Sequence, residues 1–163
     1  MNKTEQQIYL FTDGSVNPKS GIGFGAYLLT DKIDLSFDKL NNIIKIKKFE
    51  ETSSTKLELE ALLWALNDND LQDFKVTIYT DCQNIIGLID RRKNLESKNY
   101  ITSKGSYIKN YELYKDFYIK LDDLDFELIK VKGHKKTSTK NNIDEVFTLV
   151  DKATRKALRE EME

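Results

Sequence analysis

The sequence predicts an α/β domain whose five-stranded mixed sheet has helices on its flanks. Three strand-like segments come first, and strand and helix patterns alternate over the rest of the chain. A strand that follows a helix in this way usually lies parallel to its predecessor in the sheet. We therefore expect strands 1 to 3 to be antiparallel and strands 4 and 5 to lie parallel to strand 1. With 163 residues, the chain is expected to form one domain over residues 1–163.

The first three strands are predicted from β-branched and aromatic runs at residues 8–12, 21–29 and 43–49. The first run leads into Asp13-Gly14, which is a turn signal and places Asp13 at the end of the strand. The third run alternates apolar residues with lysine, as a half-exposed antiparallel strand does. Together these segments predict a three-stranded meander.

The second part of the chain predicts the remaining helices and strands. Residues 57–67 have apolar positions at i, i+3, i+4 and i+7, which is one face of an amphipathic helix. Residues 74–80 alternate with period two and are followed by Asp81, a suitable N-cap for a helix over residues 82–91. Further segments predict a helix at 111–121, a strand at 126–131 and a helix at 143–161.

Two acidic residues follow strands that we expect to be parallel neighbours. Asp13 and Asp81 would then meet at one edge of the sheet, where adjacent strands are about 4.8 Å apart. Each acid also has an ordinary alternative: Asp13 as a turn residue, Asp81 as a helix cap, and Glu58 as half of a capping box with Thr55. Their conjunction nevertheless favours a metal site, because such close carboxylates repel each other unless a cation joins them.

Charge is distributed unevenly, although the net charge is only -1. Residues 91–120 carry a net charge of +5, and residues 130–140 contain five lysines and no acid. Clusters of this kind are either solvated surface or a binding face for phosphates.

Five short motifs occur in order along most of the chain. They are Phe11-Thr12-Asp13-Gly14-Ser15, Thr55-Lys56-Leu57-Glu58-Leu59-Glu60-Ala61, Tyr79-Thr80-Asp81-Cys82-Gln83, Val131-Lys132-Gly133-His134 and Val150-Asp151-Lys152-Ala153. In these strand and helix contexts they resemble the ribonuclease H type 1 family, which includes cellular enzymes and domains of reverse transcriptases. The resemblance implies a ribonuclease H-like fold and an endonuclease that hydrolyses the RNA strand of RNA/DNA hybrids.

The resemblance also implies roles for individual residues. Two Mg²⁺ ions, with Mn²⁺ able to substitute, would be held by Asp13, Glu58, Asp81 and Asp151. His134 would assist product release or proton transfer. Carboxylates suit this task because Mg²⁺ prefers hard oxygen ligands, and two ions can stabilise both the attacking and the leaving oxygen at one phosphorus.

Recognition of the hybrid is expected to depend on 2′-hydroxyls in the minor groove and on phosphates of the DNA strand. The candidates for the first are polar residues near the acids, and the candidates for the second are basic. These substrate-binding candidates are Gly14, Ser15, Asn17, Ser54, Thr55, Gln83, Arg91, Arg92 and Lys93. Tyr100 and Tyr107 are further candidates, whereas Tyr111, Tyr114 and Tyr118 have the helical spacing of core residues.

The fourth acid has two candidates in the last helix. Asp144 lies ten residues after His134, which is the usual family spacing, and Asp151 lies seventeen residues after it. The two are two helical turns apart and share a face, so spacing alone rejects neither. We prefer Asp151 because Val150-Asp151-Lys152-Ala153 continues with small and apolar residues, which implies an insertion within residues 135–149.

Two other functions compete with this interpretation. One is a DNA-directed nuclease of the same architecture, and the other is a hybrid-binding module without catalysis. The presence of all four acids opposes the second. A single cysteine, Cys82, excludes an intrachain disulfide, and no apolar run is long enough to predict a membrane span. We expect a cytoplasmic protein with no obligatory protein partner.

Overall fold

A computed structural model describes residues 6–132 and 141–163. Its strands are β1 Gln6–Asn17, β2 Ile22–Thr30, β3 Lys45–Phe49, β4 Phe74–Thr80 and β5 Asp125–Lys130. Its helices are α1 Phe37–Asn42, α2 Ser54–Asp68, α3 Gln83–Ile86, α4 Leu88–Ser97, α5 Tyr111–Asp123 and α6 Asn142–Met162. None of the helices in these two ranges is long and apolar enough to span a membrane.

The strands form one mixed sheet in the order β3-β2-β1-β4-β5. β1 is antiparallel to β2, and β2 is antiparallel to β3. β4 lies parallel to β1, and β5 lies parallel to β4. This arrangement confirms the predicted fold class, and it makes β1 the central strand of the sheet.

Each face of the sheet has its own hydrophobic core. The alternation of side chains along a strand sends Leu10 of β1 to one face and Phe11 to the other. Leu10 packs with residues of α2 and α5, and Phe11 packs with Val146 and Val150 of α6. The opposite faces of β1 therefore fix the positions of α2 and α6.

The prediction that the first strand ends at a turn beside Asp13 was wrong. β1 continues to Asn17 because residues 13–17 remain paired with residues 22–26 of β2. The turn instead follows Asn17, and Gly21 there has a positive φ of 72°, which glycine adopts without strain. Asp13 thus lies within a strand.

Three details of the helices differ from the prediction. α1 has only six residues, too few to show a periodic pattern, and Ser36 caps it by accepting a hydrogen bond from the amide of Lys39. The helix expected over residues 82–91 is two helices that meet at Gly87, and Cys82 rather than Asp81 occupies the N-cap position. The capping box of Thr55 and Glu58 does not form either, because the N-cap of α2 is Ser53.

Candidate active site

Asp13 and Asp81 lie where β1 and β4 separate. The last paired residues of these parallel strands are Phe11 and Tyr79, and each acid comes two residues later along the chain. β1 continues beyond this point beside β2, whereas β4 ends at Thr80. The fork between them brings the two carboxylates to the same level, as the sequence predicted.

Close packing of α2 against the sheet brings Glu58 to the fork. Leu57, the preceding residue, fills the space above two strand glycines. A Cβ atom added to Gly14 would lie 2.9 Å from Leu57 Cγ, and one added to Gly23 would lie 2.6 Å from Leu57 Cδ2. A third glycine, Gly25, lies against Ala61 in the same way, because a Cβ atom added to it would lie 2.8 Å from the Cβ of Ala61. Side chains at these glycines would hold α2, and with it Glu58, further from β1.

Asp13, Glu58 and Asp81 form a compact group of carboxylates. One ligand oxygen from each lies within 4.8 Å of the others. Asp13 is buried, and the other two side chains are partly exposed. Glu58 Oε2 is buried and has no hydrogen-bond partner in the described part of the chain. A buried oxygen without a partner is costly, so a cation or proton at this group would stabilise it.

Burial and mutual repulsion raise the pKa values of two of these acids. Desolvation is the main cause for both Asp13 and Glu58, and neighbouring carboxylates raise the two pKa values further. The backbone amide of Gly14 hydrogen-bonds to the group and partly opposes the increase. The site therefore favours protons or metal ions over bare negative charge.

The two candidates for the fourth acid lie in different surroundings. Interaction with the Asp151 carboxylate raises the pKa of Asp13, and the charge of Asp151 also raises the pKa of Glu58. Asp144 is at the start of α6, where its carboxylate accepts a hydrogen bond from the Asn141 amide at 3.1 Å and completes a capping box. Asp151 is thus adjacent to the carboxylate group, and Asp144 stabilises the end of the helix. Asp151 as a ligand stays a prediction.

The chain matches the family model for RNase H over residues 5–158. It belongs to the ribonuclease H family. The ribonuclease H of Clostridium botulinum is 28% identical over 148 residues, which cover 86% of this chain and 93% of that protein. The ribonuclease H of Ruthia magnifica is 27% identical over 136 residues, covering 82% of this chain and 85% of that protein. The predicted family and its class of phosphodiester hydrolase are confirmed.

Several expected substrate-binding residues of this ribonuclease H are exposed around the carboxylate group. Ser54 and Thr55 form the exposed first turn of α2, and Gln83 begins α3 directly after Asp81 and Cys82. Gln83 Oε1 accepts a hydrogen bond from Lys130 Nζ at 2.7 Å. His134 lies outside the described residues.

Ser15 and Asn17 contact α6 in the structure. Ser15 Oγ and Thr154 Oγ1 are 2.8 Å apart, and Asn17 Nδ2 donates to Met162 Sδ at 3.0 Å. Asn17 Oδ1 also accepts from the backbone amide of Lys19 at 2.9 Å. Both side chains help to join the end of β1 to α6, and their predicted contact with substrate would have to compete with these bonds.

The basic residues of α4 differ in how strongly they are held. Arg92 donates to both carboxylate oxygens of Asp122 at 2.6 and 2.7 Å and to Glu96 at 2.7 Å. Arg91 donates to Asn84 at 2.9 Å, and Lys93 is exposed. Of these three residues, Lys93 is therefore the most available to bind a phosphate.

The predicted roles of the tyrosines are partly wrong. Tyr114 and Tyr118 are buried as predicted, but Tyr100 is buried as well, with 6% of its surface exposed. Tyr107 is exposed and stacks on Tyr111, with ring centroids 4.3 Å apart. Of the two candidates for substrate contact, only Tyr107 presents its ring to solvent.

Two non-acidic residues, Leu57 and Arg155, contact parts of the site and were not predicted to do so. Leu57 sets the distance between α2 and β1, and only the three-dimensional packing shows this. Arg155 forms an ion pair with Asp151, with 3.1 Å between Nε and Oδ1. That pair has the i, i+4 spacing at which opposite charges meet on a helix, so the sequence did contain a signal for it.

Proposed function

We propose that this ribonuclease H is an endonuclease that hydrolyses the RNA strand of RNA/DNA hybrids with two divalent metal ions. Asp13, Glu58, Asp81 and Asp151 would hold the ions. The observation that carries the proposal is the approach of three carboxylates to within 4.8 Å of one another, with Asp151 near enough to raise the pKa of Asp13. So much negative charge at one point is costly without a cation.

The donor set fits Mg²⁺ better than softer metals. The grouped ligands are all carboxylate oxygens, which hard cations such as Mg²⁺ and Mn²⁺ prefer. The buried Oε2 of Glu58 and the raised pKa values of Asp13 and Glu58 are further signs of a site shaped for positive charge. We therefore propose Mg²⁺ as the cofactor, with Mn²⁺ able to replace it.

Asp13 is the buried member of the group, whereas Glu58 and Asp81 are partly exposed. We therefore propose it as the acid shared between the two ions. Bound metal ions would activate a water and stabilise the leaving oxyanion of the phosphodiester. The chain's own contribution is to hold these oxygens on a rigid strand and helix, which fixes where the scissile phosphate must lie.

Selection of the RNA strand is assigned to the exposed polar residues beside the acids. Ser54, Thr55 and Gln83 can exchange hydrogen bonds with 2′-hydroxyls, which the DNA strand lacks. The backbone amide of Gly14 is directed to the acids instead, so we place no substrate contact on it. The DNA strand would meet the basic surface of α4, where Lys93 is exposed.

The proposal is tested by offering three labelled duplexes, RNA/DNA hybrid, RNA/RNA and DNA/DNA, each with Mg²⁺ and with EDTA. The expected result is cleavage of only the RNA strand of the hybrid, with none in EDTA. Cleavage of DNA would favour the DNA-directed nuclease instead. Binding of the hybrid without cleavage would favour the non-catalytic module, and the Asp13→Asn variant serves as the matched inactive control.

A further inference from the structure

Arg155 contacts Asp151, the acid beside the carboxylate group, from one helical turn further along α6. Its Nε lies 3.1 Å from Asp151 Oδ1, and the side chains of Arg155 and Asp151 are 51% and 27% exposed. An exposed i, i+4 ion pair contributes little to helix stability. We therefore consider the effect of this contact on the orientation of the Asp151 side chain.

The backbone of α6 is already fixed at this level by other bonds. Thr154 Oγ1 donates to the carbonyl of Asp151 at 2.8 Å, and it is also 2.8 Å from Ser15 Oγ of β1. Thr154 is fully buried. These contacts hold the main chain of Asp151 beside β1, but they leave its side-chain torsions unrestrained.

The carboxylate of Asp151 has a second interaction on the side of the sheet. It lies close enough to Asp13 to raise the pKa of that acid, although among the described residues only Asp13, Glu58 and Asp81 have ligand oxygens that all lie within 4.8 Å of one another. Asp151 thus lies at the margin of the site, between Arg155 and Asp13. Its rotamer decides whether an oxygen faces the other acids.

We propose that Arg155 is a positioning residue, which holds one oxygen of Asp151 through Nε and thereby turns the carboxylate toward Asp13. This inference rests on the proposed function, because the purpose of the orientation is to present Asp151 as a metal ligand. Partners that hold a ligand in this way are commonly worth 10- to 100-fold in metal affinity or activity. Because Arg155 is half exposed, we expect about tenfold, the lower end of that range.

Two substitutions separate positioning from charge. In Arg155→Gln the side-chain amide nitrogen occupies the place of Nε, so the donor is kept and the charge is lost. In Arg155→Met the length is similar, but both donor and charge are lost. A purely electrostatic or helix-stabilising role predicts the same result for both variants, whereas positioning predicts that only Arg155→Met is impaired.

The experiment measures Mg²⁺ binding by calorimetry without substrate, and the Mg²⁺ dependence of hybrid cleavage, for wild type and both variants. We expect Arg155→Met to need about tenfold more Mg²⁺ in both assays and Arg155→Gln to stay close to wild type. We also expect Arg155→Met to add no further loss to Asp151→Asn, since the two act through one group. Equal behaviour of the Gln and Met variants, whether normal or impaired, would overturn the inference.

The wild-type protein distinguishes this failure from failure of the proposed function. If wild type binds Mg²⁺ and cleaves the hybrid while the two variants behave alike, only the role of Arg155 is refuted. If wild type shows neither binding nor cleavage, the metal site itself is refuted. Circular dichroism of each variant confirms that α6 is intact.

Discussion

Asp13 is the residue at which stability and the proposed metal binding oppose each other most directly. It is 3% exposed and lies among three other acids. Such a residue is retained at a cost to the metal-free fold, because its charged form is both desolvated and repelled. Removing the charge should therefore abolish activity and stabilise the protein at the same time.

The first prediction concerns the pH dependence of Asp13→Asn in EDTA. In the folded protein the pKa of Asp13 is raised from 3.8 to about 10, and that of Glu58 from 4.5 to about 8. The folded state therefore binds more protons than the unfolded chain above about pH 4, and the free energy of unfolding falls as pH rises through this window. The free energy of unfolding of Asp13→Asn should fall less steeply as pH rises. The Tm of this variant should exceed that of the wild type by a margin that grows between pH 5 and 9.

Thermal unfolding at a series of pH values measures this difference. For a chain of this size, each kcal/mol of relieved repulsion raises Tm by about 2 to 4 °C. Saturating Mg²⁺ should reverse the order by stabilising wild type more than the variant. A Tm difference that shrinks with rising pH would show that Asp13 is not held among repelling charges.

The second prediction separates Asp151 from Asp144. Asp151→Asn should cripple Mg²⁺-dependent cleavage, since its carboxylate adjoins Asp13. Asp144→Asn should leave cleavage nearly unchanged. Asp144→Ala should cost about 0.5 to 2 kcal/mol of stability, because the capping box at Asn141 is lost. Cleavage rates and urea unfolding of the three variants check this, and a reversed order of activities would move the ligand to Asp144.

At the scale of secondary structure, the spacing between α2 and the sheet controls the site. Gly25 faces Ala61, and a Cβ atom added to Gly25 would lie 2.8 Å from the Cβ of Ala61. Alanine has no alternative rotamer that would relieve this contact. The third prediction is that Gly25→Ala displaces α2, costs about 1 to 3 kcal/mol and lowers cleavage, because Glu58 moves with the helix. Urea unfolding and cleavage assays measure both effects.

Two controls accompany this variant. Gly87→Ala should be silent, since its added Cβ would meet nothing closer than 3.6 Å. Ala61→Gly combined with Gly25→Ala should restore cleavage more than stability, because it removes the clash but places glycine inside a helix. Full activity of Gly25→Ala alone would show that the position of α2 is not critical.

The fourth prediction concerns α4. Neutralising Arg91, Arg92 and Lys93 together should weaken hybrid binding with little change in kcat. The slope of the logarithm of the binding constant against the logarithm of the salt concentration should become smaller in magnitude by about 0.7 to 0.9 for each lost phosphate contact. Lys93→Gln alone should change the slope without changing Tm. Arg92→Gln should lower Tm, because Arg92 is bonded to Asp122 and Glu96. An unchanged slope in the triple variant would place the binding face elsewhere.

At the scale of the whole molecule, the directions of the strands and the meeting of Asp13 with Asp81 were predictable. Both follow from local patterns and from the rule that successive parallel strands share their carboxyl edge. The end of β1 was not predictable, because Asp13-Gly14 is equally a turn signal and a place where Leu57 approaches the backbone. The site depends on that second role of Gly14.

The remaining errors also have physical reasons. Six residues are too few for a helical pattern, so α1 was missed. Gly87 is tolerated within helices, and nothing local showed that it would separate α3 from α4. Tyr100 is buried through contacts that a sequence pattern does not contain. Errors of this kind leave the positions of the acids unchanged.

We have proposed that the carboxylate group of Asp13, Glu58 and Asp81 holds the metal ions of a ribonuclease H. The most direct measurement is anomalous X-ray diffraction from crystals of the protein soaked with Mn²⁺, with Asp13→Asn crystals treated identically. We expect anomalous peaks among these three side chains in the wild type and their loss in the variant. Peaks only at other acids, or peaks that persist unchanged in Asp13→Asn, would contradict it.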